Sequence, residues 1–189
     1  MTGRLYGVVG PSGVGKDTVM AAVAARRPGL HIVRRVITRA AEAGGEVYEA
    51  VDRAEFMARV AAGDFALWWE AHGLCYGVPA SVGDELARGG DAMVNLSRAV
   101  LGEAEARFPG FTVLSLTASP EVLARRLAQR GRESEEEIAR RLARAGYALP
   151  EGLARVVVIG NDGPLAQTVG AVLAAMDAGR VSAKEEVTE

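Results

Sequence analysis

The residues with the clearest chemistry stand together near the start of the chain, in GPSGVGKD from Gly10 to Asp17. An apolar run precedes them (Leu5 to Val9) and a helix-like run follows (Thr18 to Arg27). Strand, glycine-rich loop, helix is the order that a phosphate-binding loop requires. Gly10, Gly13 and Gly15 allow backbone conformations closed to other residues and let N–H groups come close to a ligand, with Pro11, Ser12 and Val14 filling the loop between them. The helix that begins near Lys16 turns its positive dipole end toward an anion. Lys16 itself can reach the β- and γ-phosphates of a nucleotide. Position 17 departs from the usual pattern. A Ser or Thr there places a hydroxyl on Mg²⁺, whereas this chain has Asp17 followed by Thr18. The expected chemistry is binding of a nucleoside triphosphate, which leaves open what accepts the phosphate.

A second charged group lies further on: Arg125, Arg126, Arg130, Arg132, Arg140, Arg141 and Arg144. One reading is a pair of solvated helix faces balanced by Glu133 and Glu135 to Glu137, and it suits Arg125, Arg140 and Arg144. The other is a lid. Two helices joined at Arg130-Gly131-Arg132 can swing Arg126, Arg130 and Arg141 over a triphosphate and neutralise charge in the transition state. No general base stands out. His31 falls in a strand pattern, where a satisfied, partly buried histidine is expected, and His72 falls in a turn where it can meet a ligand. A phosphate acceptor needs no base, because its second pKa of about 6 leaves it largely deprotonated at neutral pH. Transfer to such an acceptor depends on positioning and charge neutralisation.

Short apolar segments separated by helical ones must position these groups. Strands are expected at Leu5 to Val9, His31 to Ile37, Ala92 to Leu96, Phe111 to Leu116 and Arg155 to Ile159. A hairpin is expected around His72-Gly73 within Phe65 to Tyr76. Helices are expected after the loop, from Asp52 to Ala62, from Pro79 to Arg88, from Arg98 to Phe108, from Ser119-Pro120 to Arg130, from Ser134 to Tyr147 and from Gly163-Pro164 to Ala178, with a frayed tail from Gly179. The alternation gives an α/β domain with a mainly parallel sheet, and ligands in such sheets sit at the carboxyl ends of the strands. The whole chain of 189 residues fits one domain. Its net charge of −2 creates no field toward nucleic acid or an anionic membrane. With aromatics at 5% there is little for a base-stacking platform, so no nucleic-acid partner is expected. A single cysteine fits a reducing compartment. With no signal peptide and no membrane-length apolar run, the expectation is a cytoplasmic protein.

These pieces together resemble the guanylate kinase branch of the P-loop kinases. The matching stretches are GPSGVGKD, VITR (Val36 to Arg39), GGE (Gly44 to Glu46), HGLCYG (His72 to Gly77), LARRLAQRGRES (Leu123 to Ser134), EIARRL (Glu137 to Leu142) and GNDG (Gly160 to Gly163). Within that branch the chain is most similar to the ribose 1,5-bisphosphate phosphokinases of phosphonate degradation. It shares their GKD, ITR, HGLxYG turn, VNLSR (Val94 to Arg98) and RGRE (Arg130 to Glu133). The resemblance implies a P-loop three-layer sandwich with a parallel core sheet (1–33, 83–125 and 148–179), a small substrate-binding insertion (34–82), a helical lid (126–147) and a tail (180–189). It implies ATP and Mg²⁺ as cofactors and a small sugar phosphate as substrate, phosphorylated to 5-phosphoribosyl 1-diphosphate.

Departures from guanylate kinases favour that branch. Leu67 and Ser97 stand where those enzymes read guanine with acids, Val78 where they bind phosphate with a serine, and Glu42 where they carry a second phosphate-binding arginine. Losing a buried acceptor for a base can remove several orders of magnitude of discrimination. Arg39 and Tyr76 remain as phosphate contacts, with a surface strand end and a core aromatic as the alternatives. Arg35 or Arg98 is expected at the 5-phosphate. Asn161 is implied near the adenine. Asp17 either supplies the Mg²⁺ carboxylate that the neutral Asn95 and Ser97 lack, or caps its helix. The competing functions are a nucleoside monophosphate kinase and a catalytically silent binding module.

Overall fold

A computed structural model describes residues 2–39, 47–129 and 148–185, with side chains to residue 179. The central strand β1 (Leu5–Val9) is buried along its whole length, as expected for a strand covered on both faces. It lies in a five-stranded sheet of order β2-β7-β1-β8-β9, with β2 at His31–Ile32, β7 at Ala92–Asn95, β8 at Thr112–Thr117 and β9 at Val156–Gly160. Every pairing in it is parallel.

The alternation of β1 side chains builds the layers. Tyr6 and Val8 point to a core completed by Val19 and Val23 of helix α1 (Lys16–Arg26), Leu123 of α5 (Pro120–Gln129) and Val169, Val172 and Met176 of α6 (Leu165–Glu185). Leu5 and Val9 point the other way, toward Leu86 of α3 (Val82–Ala87) and toward Leu101, Ala104 and Phe108 in and just after α4 (Leu101–Arg107). Leu67, Trp69 and Val78 from a second sheet join that same core. The second sheet has order β4-β3-β6-β5, with β3 at Val36–Ile37, β4 at Glu49–Ala50, β5 at Phe65–Ala71 and β6 at Leu74–Pro79. Helix α2 (Arg53–Ala62) precedes β5, and its Phe56 stacks on Phe65 at 4.7 Å.

Several expectations change. His31 to Ile37 is not one strand: its start pairs with β7 in the parallel sheet and its end with β4 and β6 in the second sheet. The β-branched run serves two sheets, with Val33 and Arg35 buried where the chain crosses between them. His31 is exposed rather than partly buried, because β2 is the edge strand. Pro79 opens no helix. It ends β6 opposite Phe65, a terminal position where its missing N–H breaks no ladder. The last helix runs past Ala178 to Glu185. Gly179 does not stop it; a Cβ there would lie 2.7 Å from the Arg4 guanidinium, so this glycine makes room for a side chain. The expected helix from Ser134 to Tyr147 lies outside the described residues.

The hairpin is as expected. His72 and Gly73 both have positive φ, 52° and 74°, the combination that matches a tight two-residue turn to strand twist. Asp52 caps α2 by accepting the Glu55 N–H at 2.8 Å. Replacing this cap (Asp52→Ala) is expected to lower unfolding stability by ~1 kcal/mol. The change should read as a lower urea midpoint at unchanged slope; an unmoved midpoint would show that the cap contributes nothing.

Candidate active site

The glycine loop follows β1 at the carboxyl end of the parallel sheet. At Gly10 φ is 153°, and a Cβ would stand 2.5 Å from the Leu116 carbonyl oxygen. Gly15, with φ 94°, is the N-cap of α1 in the left-handed region. Lys16 is therefore the first helical residue, and the free N–H groups of α1 open toward the loop. Its ammonium donates to the carbonyls of Gly10 at 2.9 Å and Pro11 at 3.3 Å. The cation is thus held across the cradle that phosphates would occupy. Ser12 and Thr18 are exposed, whereas Gly13 and Val14 are buried.

The Val14 carbonyl faces inward and accepts two hydrogen bonds. One comes from Asn161 Nδ2 at 2.7 Å and one from Arg126 Nη1 at 3.2 Å. Arg126 Nη2 also donates to the Asn161 carbonyl at 2.8 Å. Arg126, expected over the transferring phosphate, is docked here on the loop. Asn161, expected beside the adenine, is only 4% exposed, and its amide is engaged with Val14 and Thr168. Its neighbour Asp162 accepts the Ser119 N–H at 2.6 Å. That backbone bond, then the Ser119 side chain and the positive field of Arg126 hold the Asp162 carboxyl below its usual range. Ser119 Oγ in turn accepts the Val122 N–H at the start of α5, as the Ser-Pro sequence predicts.

Asp17 is the second residue of α1, and the N-cap position belongs to Gly15 with no side-chain cap. The capping alternative therefore does not hold. Its Oδ1 accepts from Asn95 Nδ2 at 3.4 Å, at the carboxyl end of β7. The two residues linked in the sequence reading are thus side by side. Among the described residues no group of three or more His, Cys, Asp or Glu is placed to hold a metal ion. Mg²⁺ is suited by one or two carboxylates together with phosphate oxygens and water, so a lone Asp17 beside a triphosphate fits that ion.

Of the residues expected to meet the acceptor, Tyr76 lies on β6, Arg35 and Arg39 flank β3, and Arg98 follows β7. Arg35 is 6% exposed, its guanidinium 5.6 Å from the Trp69 ring centroid and 5.3 Å from that of Tyr76. Those two rings stack at 5.3 Å and 6°, an arrangement that favours a cation nearby. Tyr76 is therefore a half-buried aromatic at the core's edge, at the same time beside a cation. Arg39 donates through Nε to the Tyr48 hydroxyl at 3.2 Å and lies 4.6 Å over its ring. Arg98 is half-buried directly after β7, and Ser97 Oγ accepts the Ala99 N–H there. Leu67 and Val78 are fully buried. Glu42, Gly44 to Glu46, Arg130, Arg132, Arg140, Arg141 and Arg144 lie outside the described residues. Thr168 does not stand out in the sequence; its only signal is a hydroxyl next to Val169 at the start of a helix, where the two are buried together. No described helix is long and apolar enough to cross a membrane.

A buried parallel sheet, a glycine loop closing on a lysine at a helix start, and a small second sheet beside it define a nucleotide-binding P-loop domain. A family model described as an AAA domain matches residues 7–145. A guanylate kinase from Anaplasma phagocytophilum has the same fold, with a TM-score of 0.63 at 19% identity over 94% of this chain and 85% of that one. A gluconokinase from Sinorhizobium meliloti 1021 gives a TM-score of 0.57 at 21% identity, over 100% and 98%. A ribose 1,5-bisphosphate phosphokinase PhnN of Ruegeria sp. is 53% identical over 168 residues, covering 88% of each chain. Its counterpart in Pseudomonas paraeruginosa is 46% identical, over 97% of this chain and 100% of the other. The chain belongs to the ribose 1,5-bisphosphate phosphokinase family of P-loop kinases.

Asp17→Ser restores the residue type usual after the loop lysine and removes the carboxylate. It is expected to raise the Mg²⁺ concentration needed for half-maximal nucleotide turnover at fixed total nucleotide. A Mg²⁺ dependence superimposable on that of the unaltered enzyme would reject a metal role for Asp17.

Proposed function

We propose that this protein transfers the γ-phosphoryl group of ATP to the 1-phosphate of ribose 1,5-bisphosphate, giving 5-phosphoribosyl 1-diphosphate and ADP, as a cytoplasmic enzyme of phosphonate catabolism. The observation that carries the reading over a nucleotide acceptor is the apolar, fully buried state of Leu67 and Val78. The guanine-reading acid and phosphate-holding serine of guanylate kinases belong at those two positions. With hydrocarbon side chains at both positions, neither offers an acceptor to the N–H groups of a purine, and an unpaired buried donor is strongly disfavoured. A sugar phosphate makes no such demand.

In this reading residues 1–33, 83–125 and 148–179 form the nucleotide core, 34–82 the substrate-binding insertion and 126–147 the lid. Lys16 leaves the Gly10 and Pro11 carbonyls for the β- and γ-phosphates, and the loop amides take the remaining phosphate oxygens. Asp17 would help hold Mg²⁺ at the triphosphate, where the ion would supply neutralising charge. An oxygen of the acceptor's 1-phosphate attacks the γ-phosphorus in line. The new P–O bond forms as the bond to the ADP oxygen breaks, and the electron pair leaves with ADP. The attacking oxygen is already deprotonated at neutral pH, so no protein base is needed. Arg130 and Arg141 neutralise the transferring group, Arg39 and Tyr76 hold the reacting phosphate, and Arg35 or Arg98 holds the 5-phosphate.

Steady-state ATP consumption tests this directly. Turnover is expected with ribose 1,5-bisphosphate and to be negligible with GMP or with no acceptor. Arg35→Ala and Arg98→Ala are to be run on the same substrate, and at least one is expected to raise its KM about tenfold or more, the loss of a charge-assisted phosphate contact. Turnover with GMP alone identifies a nucleotide kinase instead, and turnover with neither acceptor identifies a binding module. An unchanged KM in both variants removes these arginines from the 5-phosphate.

A further inference from the structure

The Val14 carbonyl brings together side chains from two elements that flank the glycine loop, and a third residue behind them fixes how they meet. Thr168, in the first turn of α6, is 3% exposed. Its hydroxyl lies 2.8 Å from Asn161 Oδ1 and 3.1 Å from the Gly160 carbonyl. A hydroxyl has a single proton to donate, and an amide presents donors on one side and an acceptor on the other. The Val14 oxygen can only accept, so Asn161 must turn its NH₂ toward Val14 and its Oδ1 toward Thr168. The Thr168 proton then goes to Oδ1, the shorter of its two contacts. Gly15 completes the packing, because a Cβ there would sit 3.0 Å from Asn161 Nδ2.

We infer that Thr168 is a positioning residue for nucleotide binding: it locks the Asn161 amide, which together with Arg126 pins the Val14 carbonyl and so sets the direction of the loop amides that follow. Asn161 acts through the loop and reads no base. The carbonyl of a glycine loop that turned outward would point its negative end at the phosphates. Holding it inward keeps the cradle lined with N–H groups. The same Val14 oxygen ties the loop to α5 through Arg126, so the segment leading into residues 130–147 is registered against the phosphate site. This inference rests on the loop binding nucleotide phosphates. It does not depend on which acceptor is used, and the test below uses no acceptor.

The experiment compares binding of ADP and of inorganic triphosphate, a ligand with no base, by calorimetry, with stoichiometry reporting the folded fraction. Thr168→Val keeps the shape and removes the proton. It is expected to weaken both ligands by the same factor, roughly tenfold, equivalent to ~1.4 kcal/mol. Thr168→Ser is expected to restore both. Asn161→Ala is expected to weaken both together as well, and this second variant carries the test if Thr168→Val does not fold. Wild-type affinities in Thr168→Val overturn the inference. So does an Asn161→Ala variant that loses ADP affinity while binding triphosphate normally, since that pattern belongs to a base reader.

Discussion

The geometry depends on one buried carbonyl. Val14 sits in the middle of the glycine loop, and its oxygen accepts from Asn161 on one flank and Arg126 on the other. A buried backbone oxygen without partners would be unfavourable by an amount comparable to a lost hydrogen bond. Satisfying this one ties the loop to the β9–α6 turn and to α5. Close packing continues the constraint. Gly10 lies against the Leu116 carbonyl with no room for a Cβ, and Gly15 lies against Asn161. The loop is therefore held by the strands and helices around it before any ligand arrives, which is what preorganised binding of a highly charged group requires.

The same arrangement gives Arg126 a role apart from the one its sequence position implies. Its guanidinium spans the loop and the Asn161 backbone, and its field helps hold the Asp162 carboxyl ionised. That carboxylate in turn receives the Ser119 N–H at the entry to α5. Charge, helix entry and loop position are thus coupled within a few residues. On the opposite side of the parallel sheet, Leu67 and Val78 close the core that the two sheets share. One side of the site is rich in groups for phosphate. Neither Leu67 nor Val78 offers a polar group to a base.

Much of this was legible in the sequence, for identifiable reasons. The loop, the Ser119-Pro120 helix start, the Asp52 cap and the His72-Gly73 turn are local, and each is encoded in a few adjacent residues with special backbone or side-chain chemistry. Where the reading failed, the deciding contact was distant. His31 to Ile37 has the composition of one strand, but its two ends pair with different sheets. Gly179 looks like a helix stop until Arg4, at the far end of the chain, is seen lying against it. Thr168 reaches the Asn161 amide only through the packing of α6, so no neighbouring residue marks it. Asp17 is the intermediate case. Its oddity is visible in the motif, and its contact with Asn95 follows from the sheet, because β7 lies beside β1 and ends next to the start of α1.

The central claim is that this site phosphorylates a phosphate on a sugar that carries no base. Phosphorus NMR of the protein with ATP, Mg²⁺ and ribose 1,5-bisphosphate addresses it most directly, because it identifies the product by its bonding. The expected result is a pair of mutually coupled diphosphate signals distinct from those of ADP, growing as the 1-phosphate resonance is lost and the 5-phosphate resonance persists. Loss of the 5-phosphate signal, or release of inorganic phosphate with the bisphosphate intact, would contradict the account.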